Sequence, residues 1–410
     1  MSVRLLAPFA GLRATPEHAD AVAAPPYDVM STEEARAAAE GRPSSFLHVS
    51  RPEIDLPPET PAGAPALYDG AAAAFARMIE SGVLIRDPAP RYYAYRMEAA
   101  GRTQTGLVAA ASLAAYEEGA VKRHELTRPT KVEDRARHIA ALGAQTGPVL
   151  TIHRPDEEVR RLIIAACAGL PLCRAVLDGA VTHTLWPIDG TDEIDALTEQ
   201  FDRIGALYIA DGHHRAAAAQ MAAQAMGAGT GEAAGRLLTV SFPADEVRIL
   251  GYHRIVQGLN GLTPAGFLDE IGKALSCEPA DGSVEPATPA QFGMYVEGRW
   301  YRLAAEGLAP AGGPVVNRLD VSLLARLVLG PILGIVDPRL DARIDFVGGG
   351  RGIEALAAVV DRGEASVAFS LYPASVEDLM AVADASAILP PKTTWFEPKL
   401  ADGLVSLVTS

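Results

Sequence analysis

The segment Leu207-Tyr-Ile-Ala-Asp-Gly-His-His-Arg215, running into Ala216 to Ala219, leaves the chain few local choices. Its apolar start predicts a short strand, Asp211-Gly212 predicts a tight turn, and the alanine run predicts a helix that opens on two histidines and an arginine. A helix N-terminus presents backbone N–H groups without intrahelical partners, together with the positive end of the macrodipole. Gly212 admits a positive φ and lets a ligand approach the backbone closely. With His213, His214 and Arg215 in the first turn, the segment predicts an anion site, and phosphate is the anion most often held this way. The competing reading is an ordinary strand–turn–helix whose polar residues face solvent.

At 410 residues the chain is too long for one small core and predicts two or three lobes. Thirty-six basic against 51 acidic residues give a formal charge of −15, which argues against a nucleic-acid partner. Cys167, Cys173 and Cys277 form neither a disulfide framework nor a zinc knuckle, and fit small core residues in a reducing compartment. With no apolar run long enough to span a bilayer and too short an apolar start for a secretory signal, the expectation is a cytoplasmic protein without a membrane partner. Lysine is scarce: Lys122, Lys131, Lys273, Lys392 and Lys399 are the only five. Lysines retained in an arginine-rich chain point to places where a compact ammonium is needed and a planar guanidinium would not serve.

Pro25 and Pro26 predict an extended entry to the helix that Ser31 and Glu34 mark with a capping-box pattern. A surface loop at 57–65, a helix over 67–81 ending at Gly82, and a hairpin from 91–97 and 103–113 around Gly101 follow. Further expectations are a strand at 238–242, a hairpin over 292–303, a helix over 321–329 and a strand over 365–372. His48 and His183 both sit on expected strands, where a satisfied buried histidine is the default and a role in the site is the alternative. The fold class is α+β (mixed α/β), with the sheet topology left open. Residues 4–408 are read as one family-wide unit with lobes at 4–110, 111–250 and 251–408.

Three other segments are chemically dense. Val121 to Arg135 carries Arg123, His124, Arg128 and Lys131 as cations around Glu125, with Pro129 interrupting any long helix. Such a loop can clamp phosphate oxygens while Glu125, or secondarily His124, accepts a proton from a substrate hydroxyl; a solvated charged face is the alternative. Glu125→Gln tests that role, with phosphate binding expected to persist and turnover to fall. Asp337 to Gly352 places Asp337, Asp341 and Asp345 ahead of a glycine run; these carboxylates could take Mg²⁺, and the run could cradle phosphate or make a tight connection. In Leu389 to Lys399, two prolines rigidify the approach to Lys392, and Trp395-Phe396 reads better as core than as a stacking surface.

Taken in order, Pro25-Pro-Tyr-Asp-Val29, Ser45-Phe-Leu-His-Val49, Gln104-Thr-Gly-Leu107, Arg123-His-Glu-Leu-Thr-Arg-Pro129, Asp211-Gly-His-His-Arg215, Arg343-Ile-Asp-Phe-Val-Gly-Gly349 and Pro390-Pro-Lys-Thr-Thr-Trp-Phe396 resemble the family designated domain of unknown function 1015. The label carries no established reaction. Asp211–Arg215 also resembles the signature of the ParB–sulfiredoxin superfamily, which includes free serine kinases. That resemblance implies a ParB/sulfiredoxin-like element near 111–250 with additional α/β lobes. It assigns Gly212, His213, His214 and Arg215 to phosphate, and Asp211 to a catalytic or metal-linked role.

The combined expectation is a phosphotransferase or phosphohydrolase acting on a small hydroxylated metabolite, with serine or O-phosphoserine implied by the resemblance. Asp211, Glu125 and His214 are its catalytic candidates, and a nucleotide or pyrophosphate is its phosphoryl partner. The motif segments are expected to share one cleft. The alternatives are a non-catalytic nucleotide-binding regulator and a structural protein with an incidental anion site.

Overall fold

In the computed structural model, which describes residues 4–177, 180–229, 231–305, 307–308, 310 and 312–409, the chain is α+β and divides into two compact units. Met1–Arg123, Thr127–Val247 and Pro398–Ser410 form the first; His124–Leu126 and Arg248–Glu397 form the second.

The main sheet of the first unit contains β1 (Leu6–Ala7), β2 (Tyr92–Ala99), β3 (Arg102–Ser112), β4 (Val121–Lys122), β5 (Val149–His153), β6 (Cys173–Leu177), β7 (Val181–Ile188), β8 (Leu207–Asp211) and β9 (Arg236–Pro243). Its order is β4-β8-β5-β9-β3-β2-β7-β6, with β1 paired to β3. The β4–β8 and β5–β9 pairs are parallel and the others antiparallel. The expected hairpin around Gly101 is β2–β3; Tyr92, Tyr93 and Tyr95 on it are all buried, so both of its faces are covered. A four-stranded sheet orders Leu84–Arg86, Leu12–Ala14, Val405–Val408 and Ala144–Gln145, which brings the end of the chain back beside its beginning.

Four helices of this unit bear on the argument: α1 (Thr32–Ala39), α2 (Pro65–Glu80), α3 (Pro129–Leu142) and α4 (His213–Met226). α1 carries the expected box: Glu34 N–H donates to Ser31 Oγ at 3.1 Å, and Ser31 N–H donates to the Glu34 carboxylate at 2.7 Å. Ser31→Ala is expected to cost about 1 kcal/mol in urea unfolding. Pro129 does not interrupt a helix but starts α3, where its fixed φ and missing N–H cost nothing. The alanines of α4 are largely buried and let it pack closely against α3.

His48 departs from expectation. It lies in a short helix, Leu47–Ser50, where a strand was expected. Short apolar runs fit either period, and here packing decides: Phe46 meets Phe75 of α2 edge-on at 6.2 Å, and His48 Nδ1 lies 2.8 Å from Asp55. His183 does lie on a strand, buried on β7, with Nδ1 2.8 Å from the Tyr95 hydroxyl.

The second unit contains β10 (Tyr252–Val256), β11 (Ser276–Ala280), β12 (Gln291–Val296), β13 (Arg299–Ala304), β14 (Ile344–Gly348) and β15 (Val367–Leu371). They form an antiparallel sheet in the order β11-β13-β12-β15-β10-β14. The β12–β13 hairpin turns through Glu297 and Gly298, both at positive φ, as a two-residue turn matched to strand twist requires. Where one helix was expected over 321–329, Asp320–Leu324 is α-helical and Ala325–Leu329 widens into a π turn. The glycine run has a packing explanation: a Cβ on Gly348 would collide with the Trp395 indole, and one on Gly349 with the Gly251 carbonyl. Phe396 is buried, as expected of core.

Candidate functional site

β8 ends at Asp211, Gly212 turns the chain at φ 98°, and α4 begins at His213. Gly212 caps the helix without a side chain, so the first-turn N–H groups have no side-chain acceptor from the capping position. A Cβ on Gly212 would stand 2.9 Å from Arg215 Nε, so glycine is needed both for its φ and for the guanidinium packed against it. Gly212→Ala is expected to cost about 1–3 kcal/mol in urea unfolding and to displace Arg215. Unchanged stability would show that the turn relaxes.

Behind the turn, two cations share one carboxylate. Arg215 Nη2 donates to Asp211 Oδ2 at 2.8 Å, and Lys399 Nζ donates to Asp211 Oδ1 at 3.3 Å. Burial works against the charged carboxylate, but Lys399 and Arg215 outweigh it and hold Asp211 well below the usual range. Arg215 is itself buried and donates through Nη1 to the Pro148 carbonyl. Burial opposes its charge too, but Asp211, Asp28 and Asp402 more than compensate. His213 is buried in the first turn. His214 Nε2 accepts the Arg128 backbone N–H at 3.0 Å, which ties the starts of α3 and α4 together and leaves the imidazole proton on Nδ1.

Arg215 also lines a cavity with Tyr27, Arg135, Gly147 and Asp402, part of which is open to solvent. The prolines before Tyr27 lead into a turn that Arg51 clamps, donating to the carbonyls of Tyr27 at 2.8 Å and Met30 at 2.7 Å. Ala24 pairs with Asp402 as an isolated β-bridge, setting that turn beside the last segment of the chain. Arg135 lies over the Tyr27 ring at 4.6 Å and pairs with Asp134 at 2.8 Å. Burial pushes the Asp402 carboxyl up to about 7; Arg215 opposes this and Asp28 adds to it.

The sequence candidates divide between the units. Asp211, Gly212, His213, His214, Arg215, Arg123, Arg128 and Lys131 belong to the first; His124, Glu125, Asp345 and Lys392 belong to the second. Arg123 lies over the Tyr116 ring at 5.0 Å, and Lys131 is exposed on α3. His124 is buried, its carbonyl accepting the Leu389 N–H. Lys392 stands at φ 56° with its ammonium 5.5 Å from the Tyr252 ring centre. Buried Arg254 donates to the carbonyls of Pro391 at 3.0 Å and Lys392 at 2.9 Å, which holds that turn. The three aspartates do not favour a carboxylate-held Mg²⁺: Asp337 pairs with Arg339, Asp341 pairs with Arg343, and exposed Asp345 accepts its neighbour's N–H. Sequence reasoning missed Lys399, Asp402 and Tyr27 as site residues. The scarcity of lysine pointed at Lys399, and nothing local pointed at Asp402.

Residues 6–322 match the family profile described as "Protein of unknown function (DUF1015)". No curated protein matches the chain. Among solved structures, a conserved hypothetical protein from Pyrococcus furiosus is 17% identical over 72% of this chain and 93% of its own, with a TM-score of 0.36. A free serine kinase in complex with AMP is 15% identical over 70% of this chain and 86% of its own, with a TM-score of 0.37. SbnI from Staphylococcus aureus, truncated at its C-terminus, is 11% identical over 72% and 85%, with a TM-score of 0.36. Among the described residues no helix is long and apolar enough to cross a membrane.

Proposed function

We propose that this chain, which belongs to the DUF1015 family, is a phosphotransferase or phosphohydrolase acting on a small hydroxylated metabolite, with serine and O-phosphoserine as the first substrates to test. The observation that carries the reading is the start of α4. There a glycine-capped helix N-terminus stands beside Asp211, a carboxylate that serves two cations, Arg215 and Lys399. That arrangement sets two cations next to backbone N–H donors, which suits the oxygens of a phosphoryl group. Phosphoryl transfer asks chiefly for positioning and charge neutralisation, and both are supplied without a covalent nucleophile from the protein. On this reading Asp211 fixes Arg215 and Lys399 in place, and a nucleotide or pyrophosphate is the phosphoryl partner.

The deciding experiment incubates the pure protein with O-phosphoserine, alone and with a nucleoside diphosphate or pyrophosphate, with and without Mg²⁺, and assays free serine. Release of serine is the expected result. Nucleotide binding without turnover would replace the enzyme by a non-catalytic regulator. Neither binding nor turnover would leave an incidental anion site.

A further inference from the structure

Two residues that line the cavity, Asp402 and Arg215, each carry a buried polar atom that finds no hydrogen-bond partner among the described residues: Asp402 Oδ1, an acceptor when ionised, and Arg215 Nε, a donor. Both belong to residues less than a tenth exposed, Asp402 at 2% and Arg215 at 8%. A buried polar group left unpaired costs free energy, and such orphans in a natural fold call for an explanation. Gly147 helps keep open the space beside Asp402 and the Arg215 side chain. A Cβ there would stand 3.2 Å from Asp402 Oδ1 and 3.3 Å from Arg215 Cδ, in a conformation that an alanine can adopt. Part of the space is open to solvent, which gives a small molecule a way in.

The charges around the space are complementary rather than single-signed. Arg215 is paired with Asp211 and Arg135 with Asp134, whereas among the described residues no cation lies within salt-bridge distance of Asp402, which stands within reach of the field of Arg215, Asp28, Arg135 and Asp211. A simple oxyanion would satisfy the guanidinium but bring a like charge beside ionised Asp402. A simple amine would do the reverse. We propose that the cavity binds a small zwitterion, a molecule carrying a primary ammonium group within a few bonds of an oxyanion, with the ammonium on the Asp402 carboxylate and the oxyanion toward the Arg215 guanidinium. The proposal rests on the small-metabolite reading and narrows its substrate class to amino acids and their close relatives, held by a group beyond the DGHHR segment.

Binding separates the two ideas, because it can be measured without turnover. Isothermal titration of the full chain with L-serine and with L-glycerate, which has the same configuration and replaces the ammonium by a hydroxyl, compares two ligands of nearly equal size on the unaltered protein. Serine is expected to bind at least about tenfold more tightly, since a charge-assisted contact is lost with glycerate. Asp402→Asn keeps the shape and removes the charge; it is expected to weaken serine at least tenfold and leave glycerate unchanged. Gly147→Ala, which fills the space, is expected to weaken both. Equal binding of serine and glycerate to the unaltered protein, no binding of either at millimolar concentration, or undiminished serine binding by Asp402→Asn would each overturn the proposal. Discrimination for serine without any phosphoryl transfer would keep the zwitterion site and remove the phosphotransferase reading.

Discussion

Acidification from pH 6.5 towards 4 is expected to cost the first unit about 3 kcal/mol of stability per pH unit, while the second unit changes little. Burial lowers His138, His153 and His183 of the first unit to about 4, against an ordinary histidine value of 6.5. Each is buried and has a neutral hydrogen-bond role: His138 Nε2 on the Val49 carbonyl at 2.8 Å, His153 beside Ser241 at 2.9 Å, and His183 beside Tyr95 at 2.8 Å. Their contribution is fully present above about 6.5 and is lost as pH falls towards 4, because the unfolded chain takes up three protons that the fold refuses. Asp402 acts with the opposite sign. Raised to about 7, it binds a proton in the fold that the unfolded chain declines until its ordinary value near 4. Glu246, also raised by burial, acts in the same direction towards the lower end of the range, and about two protons net remain above it. In the second unit His253, lowered to about 4, is offset by Asp320, raised to about 6, both through burial. Hydrogen exchange followed by mass spectrometry across this pH range reads the units separately. Equal loss in both would refute the account, and Asp402→Asn should steepen the first unit's slope to about 4 kcal/mol per pH unit.

Arg215→Ala is expected to destabilise the first unit by about 3–5 kcal/mol. The first-turn position suggests a residue whose loss the fold would survive, and burial reverses that expectation. The guanidinium is 8% exposed, bonds Asp211 and Pro148, and supplies part of the field that tempers Asp402. Deleting it leaves two carboxylates in a low-dielectric setting with fewer counter-charges, and the loss of an uncompensated partner is the expensive direction for a buried pair. Urea unfolding measures the cost. Adding Asp211→Asn to Arg215→Ala should recover part of it, and simple additivity of the two would show that the pair is not coupled. Phosphate affinity of Arg215→Ala is therefore to be measured only where the variant is shown to be folded.

What the sequence made legible was local. The strand, turn and helix of 207–226 follow from apolar spacing, one glycine and an alanine run; the Ser31–Glu34 box and the hairpins at Gly101 and Gly298 follow from equally short-range rules. The site residues it missed depend on pairings between distant positions. Lys399 meets Asp211 across 188 positions, and Asp402 reaches the cavity through a single bridge to Ala24. No window of sequence contains both members of either pair. Arg215 was correctly singled out by its place in the first turn, but its burial depends on Pro148 and Gly147, whose closeness to it is tertiary. His48 shows the same limit in secondary structure, and the glycine run at 348–350 shows it in packing: the run leaves room for an indole that arrives some 45 positions later.

The chain path of the first unit has a consequence for synthesis. Its last segment, Pro398–Ser410, supplies both Lys399 and a strand of the small sheet, yet the ribosome must first make the whole stretch Arg248–Glu397. At about 5–20 residues per second that interval is on the order of ten to thirty seconds. Throughout it the nascent unit carries Leu12–Ala14 with one edge unpaired and Asp211 with Arg215 as its sole cationic partner of the two. An unpaired edge is a template for another chain, so this window, rather than any state of the finished fold, is where the polypeptide is most exposed to misassembly and most in need of a chaperone.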